Sequence, residues 1–240
     1  METVNDLVNI NNLKIVQNDD WFKFSLESVL LPYFATINLR CYHILDLCSG
    51  NAPIPLILST RTKAKIMCVE VQKDVCELAK KSISINKLEN QIEVLHANLK
   101  ELKEYYKGDF FDVITVNPPY FPNLLKSTKN IDEHKAIARH EVMASLDDIA
   151  KISVYLLKNN GHFAMVHRTE RFFEVIKTLE KYNLVPKRIQ FIYPKMSLDS
   201  NLFMIECIKN GKSGVKFEKP LIIHNPDGTY TNEIKKIFNF

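Results

Sequence analysis

Short apolar runs that do not alternate recur along this chain, and most are followed by a stretch with helical spacing. The runs are His43–Leu47 (HILDL), Lys65–Val71 (KIMCVEV), Ile92–Leu95 (IEVL), Phe111–Val116 (FDVITV), Gly161–His167 (GHFAMVH), Pro186–Tyr193 and Leu202–Ile208. Between them Pro53–Thr60, Lys73–Asn86, Leu99–Tyr106, Leu146–Lys158 and Glu170–Lys181 read as helices. A strand that is apolar at every position is buried on both faces. Helix-linked strands of that kind build a parallel sheet covered on both sides. The expected fold is α/β, with a doubly wound, Rossmann-like, seven-stranded and mostly parallel sheet. The last two runs are joined by a short polar connection, so they are expected as an antiparallel hairpin at the sheet edge.

Ahead of the first run, FSLESVLLPYFA at 24–35 reads as an amphipathic helix. Ser25 is its expected N-cap, with Glu27 and Ser28 on the polar side. Asn159-Asn160-Gly161 is expected to cap the helix before it. Residues 211–240 read as short irregular pieces and a final helix near Asn232–Phe238. Residues 1–40 are thus an arm and a helix packing on the ligand pocket, and residues 41–240 are the main domain.

Composition narrows the class. No stretch approaches ~18 uninterrupted apolar residues, so no membrane span is expected. METVNDLVNINNLK has acidic and polar residues where a secretion signal has a basic start and an apolar core. Five cysteines without a Cys-x-x-Cys pair fit buried free thiols in a reducing compartment. The expected location is cytoplasmic. No metal is expected, because His140-Glu141 would need a second histidine where Ala144 stands. The net charge of +4 is compatible with a nucleic-acid partner without arguing for one.

The first apolar run ends in Asp46-Leu47-Cys48-Ser49-Gly50-Asn51-Ala52. In doubly wound folds ligands bind outside the carboxyl ends of the strands. A tight turn of small residues there lets backbone N–H groups approach a ligand. Glu70 closes the second strand, where an acidic residue accepts hydrogen bonds from the ribose hydroxyls of an adenosine. Val71 follows it. Asn98 and Leu99 follow the third strand, where an adenine would lie. Only Gly50 in the loop is glycine, whereas a pyrophosphate needs several. The loop therefore favours S-adenosylmethionine over a dinucleotide.

The fourth strand runs into Asn117-Pro118-Pro119-Tyr120. An exocyclic amine on a planar ring is a poor nucleophile, because its lone pair is delocalised. The Asn117 side-chain oxygen and the Pro118 carbonyl can both accept hydrogen bonds from such an NH2. Two acceptors favour a pyramidal nitrogen and stabilise the positive charge that develops on it. The prolines fix the backbone in advance. Tyr120 offers an aromatic face to a base taken out of its stack.

DLCSGNAPIPL, CVEVQ and NPPYF together resemble the class I S-adenosylmethionine-dependent methyltransferases that act on exocyclic or amide nitrogens. FKFSLESVLL, ARHE at 138–141, LLKNNGHFAMVHRTER, VPKRIQFIYP and PLIIHNPDGTYTNEI resemble the bacterial tRNA adenine-N(6)-methyltransferases of the valine-tRNA type. The resemblance runs from about Trp21 onward. It implies methylation of the adenine 3′ of the anticodon of valine tRNA. It also implies a cofactor site at Asp46, Ser49, Gly50, Asn51, Glu70 and Asn98, and a catalytic motif at Asn117 to Tyr120. In such enzymes FKFSLESVLL lies across the cofactor pocket, which adds Phe24 and Ser25. Cys48 and Ala52 stand where glycine is usual, and Asn98 where aspartate is commoner.

The polar stretch 121–139 carries Lys126, Lys129 and Arg139, which with Arg168 and Arg188 form the expected phosphate contacts of tRNA. Besides rRNA or DNA in place of tRNA as the substrate, two other readings stay open on the sequence. One is a protein glutamine-N(5)-methyltransferase, which uses the same four-residue motif. The other is a non-catalytic RNA-binding protein on a degenerate methyltransferase fold, suggested by Cys48, Ala52 and Asn98.

Overall fold

A computed structural model describes residues 1–8, 10–18, 24–119 and 144–239. β1 (Glu2–Asp6) and β2 (Lys14–Asn18) pair antiparallel. α1 (Leu26–Phe34) follows, then β3 (His43–Leu47), α2 (Pro53–Ser59), β4 (Lys65–Glu70), α3 (Lys73–Ile85) and β5 (Ile92–His96). A 3-10 turn at Leu99–Glu101 leads into the one-turn helix α4 (Leu102–Tyr105) and then β6 (Phe111–Val116). Later in the chain come α5 (Leu146–Leu156), β7 (Leu157–Arg168), α6 (Phe172–Lys181), β8 (Leu184–Lys195) and β9 (Leu202–Lys209). The two-residue β10 (Lys216–Phe217), β11 (Leu221–His224) and α7 (Asn232–Phe238) complete the chain.

The main sheet has the order β8-β9-β7-β6-β3-β4-β5, and β10 and β11 both pair with the outer side of β8. Every pairing in it is parallel except those of β9 with β7 and β8. This is the doubly wound sheet with an antiparallel pair near one edge. The pair is not itself the edge, because β10 and β11 cover the free amides of β8. Short pairings like these are hard to see in a sequence, since two to four residues carry no period.

Two apolar cores lie on the two faces. Ile44, Ile66, Val113 and Ala164 face one with α1, α2 and α7; Leu45, Ile114, Phe163 and Ile205 face the other with α5 and α6. All five cysteines are free, and only Cys48 is less than buried.

The stretch read as an N-terminal arm contains the β1–β2 hairpin. It docks on α3 through Lys14 and Asn86, which exchange hydrogen bonds of 2.9 and 2.6 Å, and through Ser82 Oγ, which accepts from Val16 N. A second correction concerns Asn159-Asn160-Gly161, which does not cap a helix. α5 ends at Leu156 with an extended residue after it, and the three residues lie inside β7. There the register against β6 shifts between Phe111 and Val113, and Asn160 takes up the extra chain at φ 61°.

Candidate active site

β3, β4 and β6 run parallel and adjacent, so their carboxyl ends meet at one edge. Asp46 lies near the end of β3 and is fully buried. Thr115 of β6 donates its hydroxyl to Asp46 Oδ1 at 2.5 Å. Oδ2 has no hydrogen-bond partner among the described residues. Burial pushes this carboxyl up to about 7. The Thr115 and Ser49 hydroxyls pull against that rise, and the nearby Glu70 charge adds to it.

The loop after β3 is stitched to β4. Ser49 Oγ donates to Asp46 O at 2.7 Å and accepts from Val69 N at 3.1 Å. Cys48, Gly50 and Ala52 all take left-handed backbone, with φ of 57°, 55° and 70°. A Cβ placed on Gly50 would meet nothing within 4 Å, so the loop is open on that side. Asn51 points elsewhere: its Nδ2 donates to Val16 O at 2.8 Å, which ties the loop to the hairpin. Its side-chain nitrogen is thus committed to the fold.

Glu70 accepts from Gly50 N through Oε2, and from Val71 N and Gln72 N through Oε1, each at 3.0 Å. A carboxylate has about four acceptor directions, so roughly one remains for a ribose hydroxyl. Asn98 caps the 3-10 turn, its Oδ1 accepting from Lys100 N at 3.1 Å, and Leu99 beside it is buried. Val71 is half-buried.

Asn117 follows the last residue of β6. Its Nδ2 donates to Ser28 Oγ of α1 at 3.0 Å. Pro118 is buried and Pro119 exposed. Ser28 is only 7% exposed, contrary to its reading as part of a polar helix face. Ser25 precedes α1 without a side-chain cap bond, and its Oγ is 3.5 Å from Ser28 Oγ. Phe24 is half-buried and packs against the first core. α1 therefore reaches Asn117 directly. Ser28 and Thr115 were missed as site residues. The one sign of Thr115 is a hydroxyl in the apolar second half of β6, between Ile114 and Val116.

The profile of a family described as "Conserved hypothetical protein 95" matches residues 22–172. A protein of Parabacteroides distasonis named tRNA1(Val) (adenine(37)-N6)-methyltransferase is 31% identical over 187 residues, covering 77% of this chain and 76% of that protein. This chain belongs to the tRNA1(Val) (adenine(37)-N6)-methyltransferase family. The identically named protein of Bacteroides thetaiotaomicron is 26% identical, over 90% of this chain and 88% of its own length. Among solved structures, a predicted O-methyltransferase of Agrobacterium tumefaciens superposes with a TM-score of 0.70 at 19% identity, covering 88% of this chain and 95% of that one. That likeness bears on the fold.

Of the phosphate contacts expected for this tRNA methyltransferase family member, Lys126, Lys129 and Arg139 lie outside the described residues, as does Tyr120. Arg168 is exposed and ends β7 at the same sheet edge as Asn117. Arg188 is not at that edge. It sits in the sheet row of Asp46, Thr115, Ala164 and Glu206, well short of the end of β8. Its Nε donates to Glu206 Oε2 at 2.9 Å, Nη2 donates to Phe34 O, and the guanidinium lies 4.5 Å from the Phe34 ring. Those bonds tie Arg188 to β9 and to the end of α1, with its side chain still 30% exposed. Among the described residues, no cluster of His, Cys, Asp and Glu is placed to hold a metal, and no helix is long and apolar enough to cross a membrane.

Proposed function

We propose that this chain is a cytoplasmic methyltransferase that uses S-adenosylmethionine to methylate the exocyclic amine of an adenine in tRNA, at the position 3′ of the anticodon of valine tRNA. The observation that carries the reading is Asn117. It stands at the carboxyl end of β6, with its amide nitrogen engaged by buried Ser28 and its strand bonded to the Asp46 end of the cofactor loop. The names of the curated relatives point to the same activity.

The site fits the co-substrate. Asp46 Oδ2 is buried and has no hydrogen-bond partner among the described residues, and the loop is open at Gly50. S-adenosylmethionine supplies an electrophilic methyl group on a sulfonium that departs as a neutral thioether. The chain's own part is to orient the nucleophile. Asn117 Oδ1 and the Pro118 carbonyl accept from the adenine NH2, so the nitrogen becomes more pyramidal and its lone pair less delocalised into the ring. The methylated nitrogen then releases its extra proton without a strong base. Tyr120 stacks on the flipped base, and Lys126, Lys129, Arg139 and Arg168 hold the RNA backbone.

The test is transfer of label from methyl-labelled S-adenosylmethionine to unmodified total tRNA, with DNA, rRNA and whole-protein extract alongside. Label is expected in tRNA as N(6)-methyladenosine. Label in protein would move the assignment to glutamine side chains. Asn117→Ala is expected to lower turnover by roughly a hundredfold or more while cofactor binding stays intact. Normal methylation by that variant would overturn the proposed chemistry.

A further inference from the structure

An asparagine side chain is useful to an amine only in one of its two orientations. With Oδ1 toward the substrate it accepts; turned over, it presents Nδ2 and repels the amine hydrogens. Nothing covalent chooses between them, so a neighbouring group must.

One such neighbour, among the described residues, is Ser28. Its Oγ accepts from Asn117 Nδ2 at 3.0 Å across a separation of 89 residues. Burial at 7% exposure keeps water from substituting for it. A serine hydroxyl by itself accepts either orientation, since it can also donate to Oδ1. Its proton must therefore go elsewhere. Ser25 Oγ lies 3.5 Å away on the same turn, and either hydroxyl of the pair can be the donor. With Ser28 as the donor, a chain Asn117 Nδ2–H to Ser28 Oγ–H to Ser25 Oγ gives each hydroxyl one direction.

The helix that carries Ser28 is itself fastened. Glu206 accepts from Thr36 N at 2.7 Å and from Thr36 Oγ1 at 2.9 Å just beyond α1. Arg188 donates to Phe34 O, and Arg61 to Ala35 O at 3.0 Å. The serine is thus held before substrate arrives, as preorganisation requires.

We propose that Ser28 is a positioning residue of the methyl-transfer site: it holds the Asn117 amide with Nδ2 toward α1 and so keeps Oδ1 available to the substrate amine. This rests on the proposed function above. Ser28 touches neither substrate nor cofactor in this role, so its removal acts on turnover.

The experiment compares wild type, Ser28→Ala and Ser28→Thr in steady-state methylation of tRNA, with calorimetric binding of S-adenosylmethionine and thermal melting as companions. Ser28→Ala is expected to lower kcat about tenfold, the worth of one hydrogen bond, with KM for tRNA and cofactor affinity nearly unchanged. Ser28→Thr keeps the hydroxyl and is expected to recover most of the rate. Equal rates for wild type and Ser28→Ala would overturn the inference and leave the proposed function standing. So would a loss confined to cofactor affinity or melting temperature, or one that threonine does not repair. No transfer by wild type itself would overturn both.

Discussion

Left-handed backbone is adopted twice in the cofactor loop by residues that carry a Cβ. Cys48 and Ala52 sit at φ 57° and 70°, a region that favours glycine. The sequence shows the missing glycines but not whether the backbone still needs them. It does, and each non-glycine residue pays about 1–2 kcal/mol of steric cost. At Ala52 a fully buried methyl returns about 0.8 kcal/mol, so that position is nearly balanced. Cys48 is less buried and gains less from packing. Cys48→Gly is therefore expected to stabilise the protein by about 1 kcal/mol, read as a higher urea midpoint with an unchanged slope. Ala52→Gly is expected to change little. A clear loss of stability in Cys48→Gly would mean that the thiol packs better than the backbone is strained.

At the level of elements, α1 depends on one buried acid. Glu206 is 2% exposed on β9 and receives Thr36 and Arg188, with His162 Nδ1 at 3.5 Å. Burial pushes its carboxyl up, but these partners outweigh burial and hold it below the usual range. Removing one partner of such a cluster leaves the others charged or unpaired in a dry place. Glu206→Ala is expected to cost about 3–5 kcal/mol in urea unfolding. Its kcat is expected to fall as well, since α1 carries Ser28. A cost below about 1 kcal/mol, as for a surface pair, would show that the clasp does not hold the helix. Elements with a period were legible: the strands from β3 to β9 and helix α3 lie close to where the apolar runs place them. What was hidden depends on pairing between distant segments. β10 and β11 are too short for a period, and the bulge at Asn160 looks like a helix cap because asparagine suits both. Arg188 reads like any surface cation until the register puts it opposite Glu206. Ser28 reads like a polar flank until α1 is laid over β6.

Across the whole molecule, the strand order brings the ends of β3, β4, β6 and β7 to one edge, so the NPPY motif and the Asp46 loop had to meet once the sheet was right. Residue spacing assigns that edge its members but not its electrostatics. Asp46 is the test, because its burial at the sheet centre sets it against the other carboxyls. Asp112 is also pushed up by burial, but Lys158 and the amides of His43 and Tyr42 outweigh this and hold it low. Such a group contributes stability above the ordinary carboxylate range and loses it as pH falls. Asp46 does the reverse. Its carboxyl is raised from 3.8 to about 7, with burial the main cause. The folded state therefore binds a proton that the unfolded state has released. Stability from this group is fully present below about pH 4 and drains away as pH rises through 7. Asp46→Asn removes the titration, keeps an acceptor for Thr115 and needs no proton. The stability of this variant minus that of wild type is expected to grow from about pH 4 to about pH 7 and to be flat beyond. Its full size is roughly 4 kcal/mol at 1.36 kcal/mol per pH unit. Urea unfolding across that window measures it, and taking a difference cancels the carboxyls that titrate the other way. A difference that stays flat would show that Asp46 ionises in the fold as easily as in water, and that the orphan Oδ2 is solvated after all. A rising one would identify a carboxyl that weakens the fold at neutral pH, which is what a group kept for a ligand is expected to do.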